Sequence, residues 1–336
     1  MSVQTVPSGP PPAAPASEPV ELSIVIVSYE CRDHVLACLE SLDRVGSSRR
    51  FEVIVVDNAS SDGTVAAIEQ RWPHVQVVAM DVNAGFARAN NIGFARARGR
   101  FVLVLNPDTR VEPGALDELT AWLEAHPRAG VVAPRLVNVD GTDQRTARRF
   151  PTAAAALFGR RSPLTRWFPA NPWSRRFLAG LDHIGDDPFT IDWVSGAAMM
   201  VPATAVSRTG GFDEAFFLFW EDADWCRRLA DDGYQVWCVP RACIVHDEGA
   251  TRSHGWSPRV AYHFHRGAYL YWRNHHAPQP WNPTRWLAAA GLAARAVSVM
   301  ALDGLHRRRR AQPPSIPSVP SVTLPRSIPP VPQPSR

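Results

Sequence analysis

Leu22–Ser28 reads LSIVIVS and Phe51–Asp57 reads FEVIVVD, and these two stretches carry most of the information about the fold class. Both are short, almost wholly apolar runs rich in β-branched residues, and the chain between them has the apolar spacing of one helical face. Strands that are apolar on both faces are typical of parallel sheets covered by helices. The two stretches therefore predict an α/β fold in which parallel strands alternate with helices.

The alternation continues through the first half of the chain. Further strands are predicted over 75–79 and 101–105, and helices over 87–98 and 113–126, the last with proline in its first turn. We expect this half to form a Rossmann-like, mostly parallel sheet. In such sheets, ligands bind at the carboxyl ends of the strands.

From about residue 131 the pattern is less regular. It predicts a hairpin around Asp140–Gly141, a strand near 191–201 and a helix after Glu221. We expect this second half to hold the site of a second substrate, beside a nucleotide-binding first half.

The two ends of the chain differ in composition from its middle. Residues 1–20 are rich in Pro and Ala and residues 311–336 in Pro and Ser, so we predict a disordered leader and a disordered tail. Residues 21–280 are predicted to form one globular domain. Residues 281–310 are predicted to form an amphipathic C-terminal helix with a basic end. Because charged residues interrupt its apolar stretch, we interpret it as interfacial rather than membrane-spanning.

The composition excludes several classes of function. All 36 basic residues are arginine, because the sequence contains no lysine, so a Walker-type phosphate loop and a Schiff-base enzyme are both excluded. The net charge of +4 comes without a recognition helix, zinc spacing or ribonucleoprotein motif, which argues against nucleic acid as a partner. Five cysteines without a C-x-x-C pair argue against a disulfide framework and fit a reducing cytoplasm.

Polar residues follow three of the predicted strands, at the point where each strand ends. Ser28 and Tyr29 end the first strand, Asp57 and Asn58 end the second, and Asn-Pro-Asp at 106–108 ends the fourth. Any one of them could be an ordinary turn or cap residue. Three strand ends in succession that carry acids or amides indicate instead a polar ligand lying across the crevice.

The acids at these strand ends suit particular contacts. Asp57 could accept hydrogen bonds from a ribose hydroxyl or a pyrimidine N–H. Asp108 could anchor Mg²⁺ or Mn²⁺, which need oxygen ligands and often take few carboxylates beside phosphate oxygens. His246 ends a short apolar run and could complete the metal site, although a lone histidine is more often a packing residue.

A loop-to-helix junction over 83–93 is rich in amides and small residues. Asn83, Gly85, Phe86 and Asn90 belong to it, and its glycine lets the backbone approach a ligand while the helix amino terminus favours an anion. The alternative is an ordinary turn and cap. No G-x-G-x-x-G follows the first strand, which argues against a nicotinamide enzyme.

An aromatic block over 216–220 leads into three acids, Glu221, Asp222 and Asp224. Acids are favoured in the first turn of a helix, and the aromatics could simply be core residues. The functional interpretation is that a carboxylate beside apolar rings has a raised proton affinity and can act as a general base. We assign that role to Asp222, with Glu221 positioning the group that loses its proton.

Together these motifs resemble those of glycosyltransferase family 2, which has the nucleotide-binding type A fold, and in particular its rhamnosyltransferase branch. The similarity spans about residues 22–251. Each matching motif alone is a weak indication of the family, but the motifs in this order are specific to it. The matching pieces are 26–29, 56–64, 83–93, 105–108, 195–197 and 221–224.

The resemblance implies a nucleotide-sugar donor, a divalent metal at the Asp108 motif and a base from the Glu221–Asp222 pair. The residues assigned to donor binding are Ser28, Tyr29, Glu30, Asp57, Asn58, Asn83, Gly85, Phe86, Asn90 and Asn106. The residues assigned to acceptor binding are Ser195, Gly196, Trp220 and Asp224.

Two positions depart from the pattern of the family. Glu30 stands where relatives often carry Asn, which puts a contact near the nucleoside base in question. The metal motif reads Asn-Pro-Asp at 106–108, where other branches have Asp-x-Asp. The ion therefore has one carboxylate fewer.

The expected function is inverting transfer of a sugar from a dTDP- or UDP-sugar, with dTDP-rhamnose as the leading donor, to a hydroxyl of a cell-surface glycan or lipid-linked acceptor. The basic end of the C-terminal helix would suit contact with the inner face of the plasma membrane. Two alternatives stay open at this point. One is a sugar-phosphate nucleotidyltransferase, which would need a glycine-rich basic loop that the first strand lacks, and the other is a non-catalytic nucleotide-sugar-binding scaffold.

Overall fold

The computed structural model describes residues 19–152, 185–247 and 257–311. The predicted leader as far as residue 18 and the predicted tail after residue 311 lie outside the described residues. So does most of the stretch 145–176, which is rich in arginine and which we call the arginine-rich run.

Among the described residues, nine strands form one sheet, and eight helices pack around it. The strands are β1 Leu22–Ser28, β2 Phe51–Asp57, β3 Gln76–Ala79, β4 Phe101–Leu105, β5 Thr109–Val111, β6 Ala129–Val137, β7 Phe189–Ile191, β8 Ala198–Pro202 and β9 Gln235–His246. The helices are α1 Arg32–Val45, α2 Thr64–Arg71, α3 Phe86–Phe94, α4 Ala115–Ala125, α5 Ala203–Thr209, α6 Glu221–Asp231, α7 Pro258–His275 and α8 Thr284–Ala311.

The sheet has two parts with different strand directions. Strands β3, β2, β1 and β4 lie side by side and are all parallel, as the alternation of strands and helices predicts. The second part is mixed: β8 pairs antiparallel with β4 and β6, whereas β6 and β9 are parallel. Both β5 and β7 pair antiparallel with the long strand β9. The expected Rossmann-like α/β sheet is confirmed, and its fully parallel part is the first half.

Alternate residues of β1 pack on opposite faces of the sheet, which explains why the whole strand is apolar. Ile24 belongs to a buried cluster with Leu39 of α1 and Leu119 of α4, whereas Val25 belongs to a second cluster with Trp225 of α6. A strand covered on both faces buries every side chain. The sheet is therefore the shared centre of the two apolar layers.

The predicted strand over 191–201 is wrong as a single element, because it is two strands, β7 and β8, separated by a turn over 192–197. The chain leaves the sheet where the Asp192 carboxylate accepts a hydrogen bond from the Phe150 backbone N–H (2.7 Å). The chain rejoins the sheet at Ala198, opposite the last residue of β4. We call residues 192–197 the β7–β8 turn, and it lies beside the carboxyl end of β4.

Helix α8 packs on α7 at the end of the described chain. No helix within the described ranges combines the length and the apolar character that crossing a bilayer requires.

Candidate active site

The carboxyl ends of β1 and β2 are joined through their side chains. Ser28 Oγ donates to Asp57 Oδ1 (2.8 Å), and the Ser60 backbone N–H donates to Asp57 Oδ2 (2.8 Å). Asp57 is buried, yet a carboxylate oxygen can accept more than one hydrogen bond. Asp57 therefore holds the loop after β2, and its predicted contact with a nucleoside stays a prediction that this geometry permits.

The residues after β1 are clamped to the loop after β2. Glu30 has a positive φ of 50°, and its carboxylate accepts hydrogen bonds from the Ser61 N–H and hydroxyl, both at 2.9 Å. Its own N–H donates to Ser60 Oγ (2.9 Å). Asn adopts the left-handed region more readily than Glu, so these hydrogen bonds offset the strain of Glu at this position. Tyr29 next to it is exposed at the mouth of the crevice.

Two amide side chains hold the loop over 83–86. Asn58 Oδ1 accepts a hydrogen bond from the Ala84 N–H (2.8 Å), and Asn83 Oδ1 accepts one from the Gly85 N–H (3.0 Å). Gly85 has a φ of 90°, and a Cβ there would collide with the Phe217 backbone oxygen. Only glycine fits at this position, and the loop is pressed against the segment that leads to the acids.

Helix α3 begins with Phe86, which connects this loop to the second half of the protein. The Phe86 N–H donates to the Phe217 oxygen (2.7 Å), and its ring lies beside Gly196. Asn90 is buried inside the same helix, where its Nδ2 donates to the Phe86 oxygen (2.9 Å). Asn90 therefore supports the first turn of α3, and its assignment to donor binding stays a prediction.

The predicted metal residues Asp108 and His246 lie together. His246 ends β9 opposite Thr109 of β5, so Asp108 Oδ1 is 3.3 Å from His246 Nε2. Both residues are buried. The antiparallel pairing of β5 with β9 brings these side chains together across more than a hundred residues of sequence.

Gln144 fixes the tautomer of this histidine. Gln144 Nε2 donates to the His246 backbone oxygen (2.6 Å) and to Asn138 Oδ1 (2.9 Å), so Gln144 Oε1 faces His246 Nδ1 (2.8 Å). An amide oxygen only accepts, and Nδ1 must therefore carry the proton. In the neutral ring, the lone pair of Nε2 then points toward the Asp108 carboxylate. Two electron-rich atoms that face each other at this distance fit a shared divalent cation.

Asn106 lies between this pair and the second half of the sheet. Its Nδ2 is 3.5 Å from His246 Nε2, and its backbone N–H donates to the Ala197 oxygen (2.8 Å). Within the described ranges no group of three or more His, Cys, Asp or Glu side chains could hold an ion. A divalent cation at Asp108 and His246 would therefore need further oxygen ligands, such as those of a diphosphate.

The acids of α6 follow an unusual turn. Phe219 and Trp220 both have positive φ, at 70° and 77°, and Glu221 and Asp222 come next as the first residues of α6. We call residues 219–222 the acid corner. Gly267 of α7 packs against it so closely that a Cβ there would lie 2.7 Å from the Phe219 oxygen.

Asp222 points from the acid corner to the β7–β8 turn. Its Oδ2 accepts a hydrogen bond from the Gly196 N–H (3.0 Å), and its Oδ1 accepts one from the Ala223 N–H (2.7 Å). Burial raises the pKa of Asp222, against these two hydrogen bonds and the charge of Arg148, which lower it. The side chain is partly exposed, and Asp222 and the ring of Phe86 both lie beside Gly196. This position suits a general base.

Glu221 is the more deeply buried acid, at 5% exposure. Burial raises the pKa of Glu221 to about 8, and the negative charge of Asp222 raises it as well. Its Oε2 has no hydrogen-bond partner in the part of the chain that the structure describes. Glu221 is therefore expected to carry a proton at neutral pH, and its role in positioning the acceptor stays a prediction.

The remaining residues assigned to acceptor binding have differing surroundings. Asp224 is buried and joins α6 to α7, because it accepts hydrogen bonds from His275 Nε2 (2.8 Å) and Arg228 Nε (2.9 Å). Burial alone would raise the pKa of Asp224, but the His275 hydrogen bond and the Arg228 charge outweigh it and lower the pKa. Trp220 packs on Phe264 and Tyr271 of α7. The geometry of Asp224 and Trp220 supports a structural role rather than acceptor contact.

Ser195 and Gly196, in contrast, belong to the β7–β8 turn, which contacts Asp222. Ser195 Oγ accepts a hydrogen bond from the Ala197 N–H (3.3 Å), which shapes the β7–β8 turn. Gly196 donates its N–H to the Asp222 carboxylate. Their assignment to acceptor binding stays a prediction that agrees with this placement.

Three further residues of the site were not predicted from the sequence. Gln144 orients His246, and Gly267 supports the acid corner. The guanidinium carbon of Arg148 lies 5.1 Å from the centre of the Trp193 ring, and its positive charge lowers the pKa of Asp222. Arg148 belongs to the arginine-rich run, and this composition is the sequence feature that could have indicated it. Nothing in the local sequence distinguishes Gln144 or Gly267.

Two solved structures of glycosyltransferases have a similar fold. The crystal structure of GalNAc-T7 with UDP, GalNAc and Mn²⁺ has a TM-score of 0.57 and 16% identity, and the match covers 82% of this chain and 52% of that chain. The mannosyltransferase PcManGT of Pyrobaculum calidifontis, in complex with GDP-Man and Mn²⁺, has a TM-score of 0.52 and 19% identity, covering 88% and 84% of the two chains. The protein therefore has the type A glycosyltransferase fold.

The sequence gives the family. Residues 23–201 match glycosyl transferase family 2. The N-acetylglucosaminyl-diphospho-decaprenol L-rhamnosyltransferase of Mycobacterium tuberculosis is 30% identical over 300 residues, which cover 86% of this chain and 95% of that protein. The chain belongs to glycosyltransferase family 2 and is a hexosyltransferase, as its motifs predict. Its resemblance to the rhamnosyltransferase branch is confirmed by this relative.

Proposed function

We propose that this protein is an inverting rhamnosyltransferase that uses dTDP-rhamnose and a divalent metal ion to glycosylate a hydroxyl of a lipid-linked acceptor at the cytoplasmic face of the plasma membrane, in the synthesis of a cell-surface glycan. The relative from Mycobacterium tuberculosis, named for a diphospho-decaprenol acceptor and for rhamnose, supports the donor and acceptor classes, because the match covers nearly all of it.

The observation that carries the proposal is that a candidate base and a candidate metal pair are held at the same edge of the sheet. The backbone N–H of Asn106, two residues before Asp108, donates to the Ala197 oxygen, and the N–H of the neighbouring Gly196 donates to Asp222. An inverting displacement needs both parts, one on each side of the reacting carbon.

In the proposed reaction, Asp57 and the loop over 83–86 line the donor side of the crevice, and Asp108 and His246 would hold a divalent ion. A bound Mg²⁺ or Mn²⁺ would neutralise the charge that develops on the departing diphosphate. Asp222 takes the proton of the acceptor hydroxyl as its oxygen forms a bond to C1 of the sugar. The bond from C1 to the diphosphate oxygen breaks on the opposite side, and the anomeric configuration inverts.

Calorimetry with a panel of nucleotide sugars tests the donor assignment. We expect dTDP-rhamnose to bind more tightly than UDP-N-acetylglucosamine and GDP-mannose, and to need Mn²⁺ or Mg²⁺ for full affinity. Asp108→Ala should abolish the dependence on metal, whereas Glu118→Gln, which changes an exposed carboxylate on α4, should preserve it. Equal binding with and without metal would contradict the metal assignment, and tighter binding of another sugar would contradict the donor.

Analysis of the product tests the stereochemistry. NMR of the newly formed glycosidic bond should show the anomeric configuration opposite to that of the donor. Retention of configuration would overturn the single-displacement mechanism even if the donor were correct.

A further inference from the structure

The charge of this protein is divided unevenly along its sequence. Residues 249–336 contain 12 arginines and a single acid, Asp303, a net charge of +11, whereas residues 1–248 contain 24 arginines and 31 acids, a net charge of −7. The modest total of +4 hides this division. A segment so basic is expected to bind an anionic surface.

Helix α8 lies in this basic segment and has an exposed apolar face. Trp286, Leu287 and Val297 are 76%, 71% and 63% exposed, and Ala290 and Ala294 between them are exposed as well. At about 100° per residue, these five side chains fall within roughly a third of the helix circumference. We call them the α8 face.

The surroundings of the α8 face extend its apolar character. Trp281, just before the helix, is 81% exposed. The half-buried residues of α8, such as Leu292 and Val299, lie on the opposite side of the helix, and α8 packs on α7. No acid occurs in the sequence from 249 to 302, and four consecutive arginines follow at 307–310. The exposed surface is thus apolar, with basic flanks.

We propose that the α8 face docks on the surface of an anionic lipid bilayer, with the helix lying along that surface. A bilayer interface offers both partners that this surface needs, an apolar layer for the tryptophans and aliphatic side chains and anionic headgroups for the arginines. Nucleic acid offers the anions but no apolar layer. A second copy of the chain would bring its own basic segment to the contact, so like charges would oppose self-association through α8.

This docking rests on the proposed function and adds a geometric reason for it. Helix α8 packs on α7, and α7 contacts the acid corner through Gly267. The bilayer-bound helix is therefore one element away from the base. A lipid-linked acceptor is anchored in the same surface, so docking would bring its diphosphate end to the crevice.

Vesicle co-sedimentation of the full-length protein tests the docking. We expect binding to vesicles in which about a third of the lipid is phosphatidylglycerol, weaker binding to pure phosphatidylcholine, and loss of binding at high salt. Val297→Glu and Trp286→Glu should each weaken the partition to anionic vesicles about tenfold, because they place a carboxylate in the apolar contact. The matched control is Val139→Glu, a valine of 59% exposure far from α8 in sequence, which should bind like the parent.

Several outcomes would overturn the docking. Absence of binding to anionic vesicles would do so, as would a Val297→Glu variant that binds like the parent. Light scattering without lipid that reports a dimer, dissociated by Val297→Glu, would instead assign the α8 face to self-association. Equal retention by a DNA duplex and loss of vesicle binding in its presence would assign the basic segment to nucleic acid.

Donor binding in solution separates this proposal from the proposed function. Val297→Glu should bind dTDP-rhamnose and metal like the parent. If vesicle binding follows the prediction but the donor does not bind, the docking stands and the donor assignment falls. If the protein binds the donor but not the vesicles, the donor assignment stands and the docking falls.

Discussion

Asp222→Asn removes the negative charge with little change in size, and its one amide oxygen can keep one of the two hydrogen bonds that the Gly196 and Ala223 backbone N–H groups donate to Asp222. In Asp222→Asn we expect kcat to fall by about 10²–10⁴-fold, because an amide cannot take the acceptor proton. Metal-dependent donor binding should stay close to that of the parent. Steady-state kinetics and calorimetry measure the two effects separately.

The control for this prediction lies on the same helix. Asp231 is an exposed carboxylate at the far end of α6, and Asp231→Asn should leave kcat nearly unchanged. Activity of Asp222→Asn within a few-fold of the parent would refute the assignment of the base.

Glu221 makes stability depend on pH. Its ordinary pKa is 4.5, and in the folded protein burial raises that pKa to about 8. Between these values the folded protein binds a proton that the unfolded chain has released, so stability falls as pH rises through this window. In Glu221→Gln, stability should depend less on pH. As pH rises through this window, the Tm of the variant relative to that of the parent should increase by at most about 3 °C per pH unit.

Thermal melts from pH 5 to about 8 measure this slope. The exposed Glu69→Gln should keep the slope of the parent. A Glu221→Gln variant with an unchanged slope would show that Glu221 is ionised in the folded protein.

At the scale of secondary structure, Gly267 sets how closely α7 approaches the acid corner. A Cβ at Gly267 would meet the Phe219 oxygen at 2.7 Å and Trp220 Cδ1 at 2.9 Å. We expect Gly267→Ala to lower the free energy of unfolding by about 1–3 kcal/mol. It should also lower kcat, because the acid corner contains Asp222, the proposed base.

A second helical glycine gives the matched control. Gly291 of α8 has no atom within 4 Å of the position of a Cβ. Gly291→Ala should therefore stabilise the protein by about 0.5–1 kcal/mol. Chemical denaturation of the two variants would refute the packing argument if both changed stability in the same direction.

The elements that could be predicted from sequence are those whose burial pattern is local. Strands β1 to β4 are apolar because helices cover both their faces, and a continuous apolar run reveals that directly. The β7–β8 turn could not be predicted this way, since the chain leaves the sheet through a hydrogen bond between Asp192 and Phe150, which are distant in sequence.

The same distinction applies to the candidate site. Asp57 ends β2, Asp108 lies between β4 and β5, and Asp222 is in the first turn of α6, so position along the chain was enough to single them out. Gln144 reaches His246 only because a distant loop folds back on the end of β9. Asp224 stands among the acids of the motif, yet its neighbours on α7 engage it in the interior, and no local pattern indicates that partner.

At the scale of the whole molecule, one continuous sheet joins the parallel first half and the mixed second half of the described chain. We therefore expect a single unfolding transition, shifted upward by ligands that bind the folded state. The nucleotide dTDP with Mn²⁺ at about 100 times its Kd should add about 2.7 kcal/mol. Differential scanning fluorimetry with dTDP and a chelator, and with Mn²⁺ alone, supplies the controls. In Asp108→Ala the additional effect of Mn²⁺ should disappear.

The backbone hydrogen bond between Phe86 and Phe217 restricts how chimeric enzymes can be built from this chain and a relative. A crossover placed between α3 and β8 would take the 83–86 loop from one parent and the acid corner from the other. Any side chain at position 85 would then push the two halves apart, since Gly85 lies against the backbone of Phe217. Recombination of donor and acceptor preferences is therefore expected to succeed between parents that share both sides of this contact.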